Sequence, residues 1–255
     1  MRFAAIADVH GNHLALDAVV ADIHAQEIDQ IVDLGDMASG PLDARRTMDA
    51  LMTLDAVHVL GNHDRYLIDR PPGKMGSWDR PAHAQLDALH LDWLRAIPPT
   101  LVYRDRVFLC HATPASDEVY WLETVLPDGT VRMAPLEAIE EAAKGIAQPL
   151  MLCGHSHIAR AVRLSDGRLI VNPGSVGSPG YRDVHPFPHV MEAGTPDARY
   201  AILEFADGSW SVTFRQVPYD HESMAALARR NGQPELASAL ATGWIRWQGN
   251  VISSR

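Results

Sequence analysis

Five short apolar runs along the chain each end abruptly in polar residues. Phe3-Ala4-Ala5-Ile6-Ala7 runs into Asp8-Val9-His10-Gly11-Asn12, and residues 30–34 run into Gly35-Asp36. Ala56-Val57-His58-Val59-Leu60 runs into Gly61-Asn62-His63-Asp64, Arg106-Val107-Phe108-Leu109 into Cys110-His111, and residues 149–153 into Gly154-His155-Ser156-His157. Runs of this length, rich in Val, Ile and Leu, predict buried strands. The first is followed by Leu16, Val19, Val20 and Ile23 at helical spacing, and a Gly40-Pro41 turn leads into a short helix near residues 43–53. Three strand–helix alternations predict a parallel sheet with right-handed crossovers.

The pattern then changes. Residues 65–81 are rich in Pro and Gly and include Trp78, which predicts a loop or small cap. A helix carrying Leu86, Leu89, Trp93 and Leu94 stops at Pro98-Pro99. Residues 101–103 and 106–109 predict a hairpin, residues 114–134 a second irregular insertion, and Pro135 the first position of a helix reaching about Ala147. Ser165-Asp166-Gly167 and Ala206-Asp207-Gly208 predict two more hairpins, the second joining Tyr200–Phe205 to Trp210–Val217. The tail predicts two helical pieces broken at Gly232-Gln233-Pro234. Early alternation followed by hairpins predicts an α/β chain of two mixed sheets packed face to face with helices outside. One domain over residues 1–255, with cap insertions near 65–95 and 114–134, is expected.

Composition narrows the function. With 255 residues and 47% hydrophobic content, the chain can bury a full core. A formal charge of -10, from 32 acidic and 22 basic residues, repels long polyanions, so neither a long nucleic acid nor a membrane surface is an expected partner. A small phosphorylated substrate gripped through metal remains open. No apolar run approaches the ~20 residues of a membrane helix, and the start is too short before charge for a signal peptide, so a soluble, cytoplasmic protein is expected. Cys110 and Cys153 each close an apolar run, which predicts core thiols and no disulfide framework.

The polar residues directly after the strands are Asp8, His10, Asp36, Asn62, His63, His111, His155 and His157. In open α/β sheets this carboxyl edge is where sites gather. Two carboxylates, a carboxamide and several imidazoles form a mixed N/O set suited to Mn, Fe, Zn, Co or Ni. Seven ligands exceed what one ion takes, so two ions sharing a carboxylate is the economical solution. Four positive charges less two carboxylates leave a surplus near +2, which favours an anion. Two such ions about 3.5–4 Å apart suit in-line displacement at phosphorus. His63 is left over as an imidazole able to protonate the leaving oxygen.

Taken together, Asp8-x-His10, Gly35-Asp36, Gly61-Asn62-His63-Asp64, His111 and Gly154-His155-x-His157 resemble the five ordered motifs of the calcineurin-like metallophosphoesterases, over residues 3 to about 180. The Asn172-Pro173-Gly174-Ser175-Val176-Gly177 and Val217-Pro218-Tyr219-Asp220 segments resemble a bacterial branch of small, single-domain members. The resemblance implies a four-layer αββα sandwich. It implies one ion held by Asp8, His10, Asp36 and His157, and another by Asp36, Asn62, His111 and His155. It also implies a metal-bridging hydroxide attacking phosphorus, His63 as the catalytic histidine, and phosphomonoesters or phosphodiesters as substrates. Small nucleotide-type esters, including dinucleoside polyphosphates, are expected; a protein phosphatase is an alternative within the superfamily.

One position departs from the pattern. Protein phosphatase members carry an Asp three residues after the bridging Asp to support the catalytic His, and here Ser39 stands there. Either Asp64 or solvent then orients His63, or His63 acts mainly as a hydrogen-bond donor. Arg65 and Arg182 are candidates for gripping phosphate. His13, following the first motif, is expected to turn outward at its helix start. His24, His58, His83, His90, His185, His189 and His221 fall outside the ligand set, with His58 an interior hydrogen-bonded residue. Asn12 either caps a helix or touches substrate, and the 172–177 loop either approaches phosphate or turns beneath the ligands. Two rivals remain: a non-catalytic binding or scaffold protein on the same fold, and a hydrolase using Cys110, Cys153 or Ser175.

Overall fold

The computed structural model describes residues 1–246. One mixed sheet has Arg2–Ile6 at its centre. On one side lie Ile31–Asp33 and then Ala56–His58, both parallel to it; on the other lies the antiparallel hairpin Ala198–Ala206 and Ser209–Val217. The second sheet runs Thr100–Tyr103, Val107–Cys110, Leu150–Leu152, Leu169–Asn172 and Arg160–Arg163. Its three middle strands are parallel, in the register Val107 to Leu150 to Leu169, and its outer pairs are antiparallel.

The first strand shows how four layers arise. Successive side chains point to opposite faces. Phe3, Ala5 and Ala7 therefore meet Leu109, Leu150, Leu152 and Val171 of the second sheet. Ala4 and Ile6 meet Leu16, Val19, Ile23, Met48 and Leu51 from the helices His13–Ala25 and Ala44–Leu51. Both faces are dry, so the strand is a continuous apolar run. On the far side of the second sheet, Phe108, Cys110, Met151, Cys153 and Ile170 pack against Ile139 of the helix Leu136–Ala142. The order is helices, sheet, sheet, helix, four layers in all.

Several details differ from the sequence expectation. The strand before the Gly61 motif is half-buried, because Ala56–His58 is an edge strand; only Val59 beyond it is fully covered. The motif continues as a helix, Asn62–Asp69, with Leu67 buried, where polar residues predicted loop. Its start is stabilised by Asp64, whose Oδ2 accepts the Gly61 N–H at 3.1 Å. The cap is partly helical, at Pro72–Lys74 and Asp79–His83. In Ala88–Arg95, Leu89 is exposed and His90 takes the buried position. The 114–134 insertion holds a small hairpin, Glu123–Val125 with Val131–Met133. A further ribbon, Gly180–Asp183 with His189–Glu192, had no clear alternating signal. The helix after Pro135 ends at Ala142, short of Ala147. The two tail helices are His221–Arg230 and Pro234–Thr242. No helix among the described residues is long and apolar enough to cross a membrane.

Candidate metal centre

Five strand ends converge on one point, three from the first sheet and two from the second. Asp8, His10, Asp36, His155 and His157 all adopt positive φ, between 50° and 68°. Non-glycine residues rarely do so, and such strain clusters where surrounding structure imposes it. Tertiary hydrogen bonds impose it here. The Asp8 and His10 N–H groups bond Gly35 and Asp36 carbonyls at 2.9 and 3.0 Å, and His155 N–H reaches both Asp8 carboxylate oxygens at 3.2 Å. Asp64, fully buried, accepts the N–H groups of Asp36 and Met37 at 2.7 and 2.9 Å.

Two buried triads result, Asp8–His10–His157 and Asp36–His111–His155, each with its donor atoms mutually within 4.8 Å. Asp36 Oδ2 lies 3.3 Å from His111 Nε2 and 3.8 Å from His10 Nε2, so one carboxylate oxygen faces both groups. Asn62 Oδ1 is 3.0 Å from His111 Nε2, on the Asp36 side. His157 Nε2 is 3.5 Å from Asp8 Oδ1. All seven residues singled out as ligands come together.

The orientation of the imidazoles fits a cation. His10 Nδ1 lies 2.7 Å from the Ser39 carbonyl, His157 Nδ1 2.8 Å from that of Ser178, and His111 Nδ1 2.7 Å from that of Leu34. A carbonyl only accepts, so each Nδ1 carries a proton; neutral His10 and His157 turn an Nε2 lone pair inward, while the His111 Nε2 faces two acceptors, Asn62 Oδ1 and Asp36 Oδ2. His10 Nε2 and His157 Nε2 nonetheless lie 3.2 Å apart. Burial pulls His10 and His155 down to about 4, and His157 well below its ordinary value, so a proton does not bridge that pair near neutrality. Facing lone pairs at this distance repel unless a cation lies between their axes. Burial also pulls His111 down, but Asp36 outweighs it and raises that imidazole to about 10, showing how strongly the carboxylates favour positive charge there. The donor set suits borderline divalent ions, two of them by number.

Residues 1–194 match the calcineurin-like phosphoesterase superfamily domain. The chain belongs to that superfamily. Among solved structures, a metallophosphoesterase from Sphaerobacter thermophilus is 28% identical, with a TM-score of 0.71, covering 95% of this chain and 99% of its own. The hypothetical protein PH1004 from Pyrococcus horikoshii OT3 shares the fold, with a TM-score of 0.72 at 19% identity over 96% of this chain and 99% of its own. The uncharacterized protein MJ0912 of Methanocaldococcus jannaschii is 26% identical over 254 residues, 91% of this chain and 93% of that protein.

His63 lies beside the centre with its ring 5.6 Å from that of His10, but its Nδ1 contacts Asp79 Oδ1 at 2.6 Å and Ser39 Oγ at 3.2 Å. Neither Asp64 nor solvent is its partner; Asp64 is occupied with backbone N–H groups. Asp79 was missed because it sits in an irregular stretch, 16 residues from His63, with no spacing to mark it. Arg65 is paired with Asp117 at 2.7 and 2.9 Å and with Glu118, and Arg182 lies 3.4 Å from Glu235, so both guanidiniums already have carboxylate partners. His13 is buried rather than turned outward, and lies in neither triad. His58 is bonded to Asp33 at 3.0 Å, as an interior residue. Asn12 caps its helix through Ala15 N–H. The 172–177 loop turns beneath the centre: Ser175 Oγ donates to the Asp8 carbonyl at 2.7 Å.

Two tyrosines close one wall. The Tyr120 ring lies 5.0 Å from that of His155, and the Tyr181 ring 4.6 Å from that of His157. Their hydroxyls are 2.9 Å apart, and Tyr120 donates to His189 Nε2 at 3.0 Å. Aromatic residues in the insertion and ribbon carried no periodic signal that could place them here.

Proposed function

We propose that this chain is a dinuclear-metal phosphoester hydrolase acting on small nucleotide-type esters. The observation that supports it most is Asp36 Oδ2 facing both imidazole groups, the arrangement a bridging carboxylate requires. Asp8, His10 and His157 would hold one ion with Asp36; Asn62, His111 and His155 would hold the other. Bound there, the ions would supply Lewis acidity and lower the pKa of water towards about 7.

The protein's own groups do the rest. The backbone carbonyls behind His10, His111 and His157 fix the tautomer that aims Nε2 inward. Tyr120 packs on the His155 ring and Tyr181 lies edge-on to the His157 ring, which restrains both imidazoles from that side. With Nδ1 committed to Asp79, His63 presents Nε2 towards a leaving oxygen, an effect typically worth about 10²–10⁴-fold. Arg65, held by three bonds to Asp117 and Glu118, is committed to those carboxylates, whereas Arg182 makes a single exposed 3.4 Å contact with Glu235. A thiol or serine mechanism has little support: burial pushes both cysteine thiols up, and Ser175 is spent on the Asp8 carbonyl.

The test is release of nitrophenol from mono- and bis-nitrophenyl phosphate by protein stripped with chelator and reloaded with Mn or Ni. Hydrolysis that depends on added metal is expected, and Asp36→Asn should abolish it together with bound metal. Equal rates with and without chelator would refute the reading. Metal binding without hydrolysis of any ester would leave a binding protein on this fold.

A further inference from the structure

We propose that Asp79, supplied by the cap, is the positioning carboxylate of His63, taking the place left by Ser39; this rests on the hydrolase reading above. The geometry is specific. Asp79 Oδ1 receives two donors, His63 Nδ1–H at 2.6 Å and Ser39 Oγ–H at 2.7 Å. The Asp79 side chain is 4% exposed, so this oxygen has lost its water and depends on those donors. Ser39 hands its hydroxyl to the carboxylate, and so locks the group that in turn locks the imidazole. The His63 side chain is 27% exposed, leaving its far edge open to a ligand. A carboxylate bonded to Nδ1 fixes both tautomer and ring rotation, and favours an imidazole that gains charge in a transition state.

The origin of Asp79 has a consequence. It opens the helix Asp79–His83, which packs on Asn62–Asp69 and Ala44–Leu51, and the adjoining turn is tied by Arg80 to the Met75 carbonyl at 2.8 Å. Trp78, just before it, lies edge-on to His10 with centroids 5.2 Å apart. Leaving-group assistance is thus assembled from two segments: the strand-end motif brings His63, and the cap brings its partner. Substitutions in the cap will act on the chemical step while sparing the ligand cluster.

The test uses the full chain loaded with zinc. Wild type, Asp79→Ala, Asp79→Asn, His63→Ala and the Asp79→Ala/His63→Ala double variant are compared on aryl phosphodiesters whose leaving groups range from nitrophenol to phenol. Asp79→Ala should lower kcat about 10–10²-fold with phenol leaving and much less with nitrophenol, with KM little changed. The double variant should be no slower than His63→Ala, because the two residues act as one unit. Asp79→Asn keeps the cap packing and should steepen the leaving-group dependence in the same direction. Zinc content should stay at the wild-type value in every variant. In nitrogen-15 spectra of the zinc form, a far-downfield His63 Nδ1–H should be present in wild type and absent from Asp79→Ala. Wild-type leaving-group dependence in both Asp79 variants, with His63→Ala impaired, would overturn the assignment; so would persistence of the Nδ1–H signal in Asp79→Ala. An inert wild type would instead overturn the hydrolase reading, and the Nδ1–H signal would still decide the pairing.

Discussion

Gly61→Ala adds one methyl group where the backbone passes close to the Asp36 ligand. Gly61 has φ -89°, ordinary for any residue, so the effect is steric and not a matter of backbone freedom. A Cβ there would lie 2.2 Å from Asp36 Oδ1, 2.4 Å from Asp36 N and 2.9 Å from Asp36 Cγ, where ordinary contact begins at 3.4 Å. The shortfall against a backbone atom is about 1 Å. Neither side yields easily: Asp64 Oδ2 holds both the Asp36 and Gly61 N–H groups. Overpacking of this kind costs about 1–3 kcal/mol, offset by about 0.4–1 kcal/mol from a less flexible unfolded chain. The net expectation is a loss of about 1–2 kcal/mol in urea unfolding. The same displacement separates Asp36 from Asn62 and breaks the His63 N–H bond to Asp36 Oδ1, now 2.9 Å. A shift of about 1 Å at a reacting centre costs about 10²-fold in rate. Gly73→Ala is the control, since nothing lies within 4 Å of a Cβ there and its φ is not positive. Gly61→Ala with wild-type stability, metal content and turnover would refute the close-contact account of this motif.

Two further outcomes are expected. Titration with Mn or Zn should raise the thermal midpoint, each site contributing about 2.7 kcal/mol at 100 times its Kd, and Asp36→Asn should weaken both sites because its Oδ2 faces both; a midpoint indifferent to metal would count against the centre. Asp22 accepts Arg215 through two bonds of 2.8 and 3.1 Å and Tyr200 OH at 2.7 Å, and the Arg215 hydrogen bond holds its carboxyl below the ordinary value. A depressed carboxyl stabilises above its unfolded pKa and loses that contribution as pH falls through the folded one. Asp22→Asn should therefore be destabilising by about 1 kcal/mol at pH 7, with the difference closing as pH drops below about 4 in chemical unfolding; a pH-independent penalty would rule out the charge as its source.

The order of apolar runs, terminal polar residues and turn signals was enough to place five strands, the two hairpins turning at 165–167 and 206–208, and every member of the two triads. This works because a strand buried on both faces must be apolar throughout. A run of that kind ending in Asp, His or Asn can only deliver those groups to the sheet edge. The helix Asn62–Asp69 escaped notice because its first turn carries ligand chemistry in place of helical periodicity. Its stability comes from the local Gly61–Asp64 cap together with two tertiary features, the Asp64 bonds to Asp36 and Met37 and the packing of Leu67. Leu89 and His90 exchanged their expected places for a similar reason: Asp49 and Asp87, at 3.0 and 2.7 Å from the His90 ring, make the imidazole the better buried group.

Sequence alone determined which residues could bind metal, how many, and at the ends of which strands, because ligand type and strand periodicity are local properties. Only the tertiary structure decided what each of them faces. The left-handed backbone at Asp8, His10, Asp36, His155 and His157 is imposed by hydrogen bonds between loops far apart in the chain. The partner of His63 could not be read from spacing, since Asp79 reaches it from a cap whose own residues carry no period. A carboxylate 16 positions away becomes a neighbour only once the cap helix packs against the helix that follows the motif.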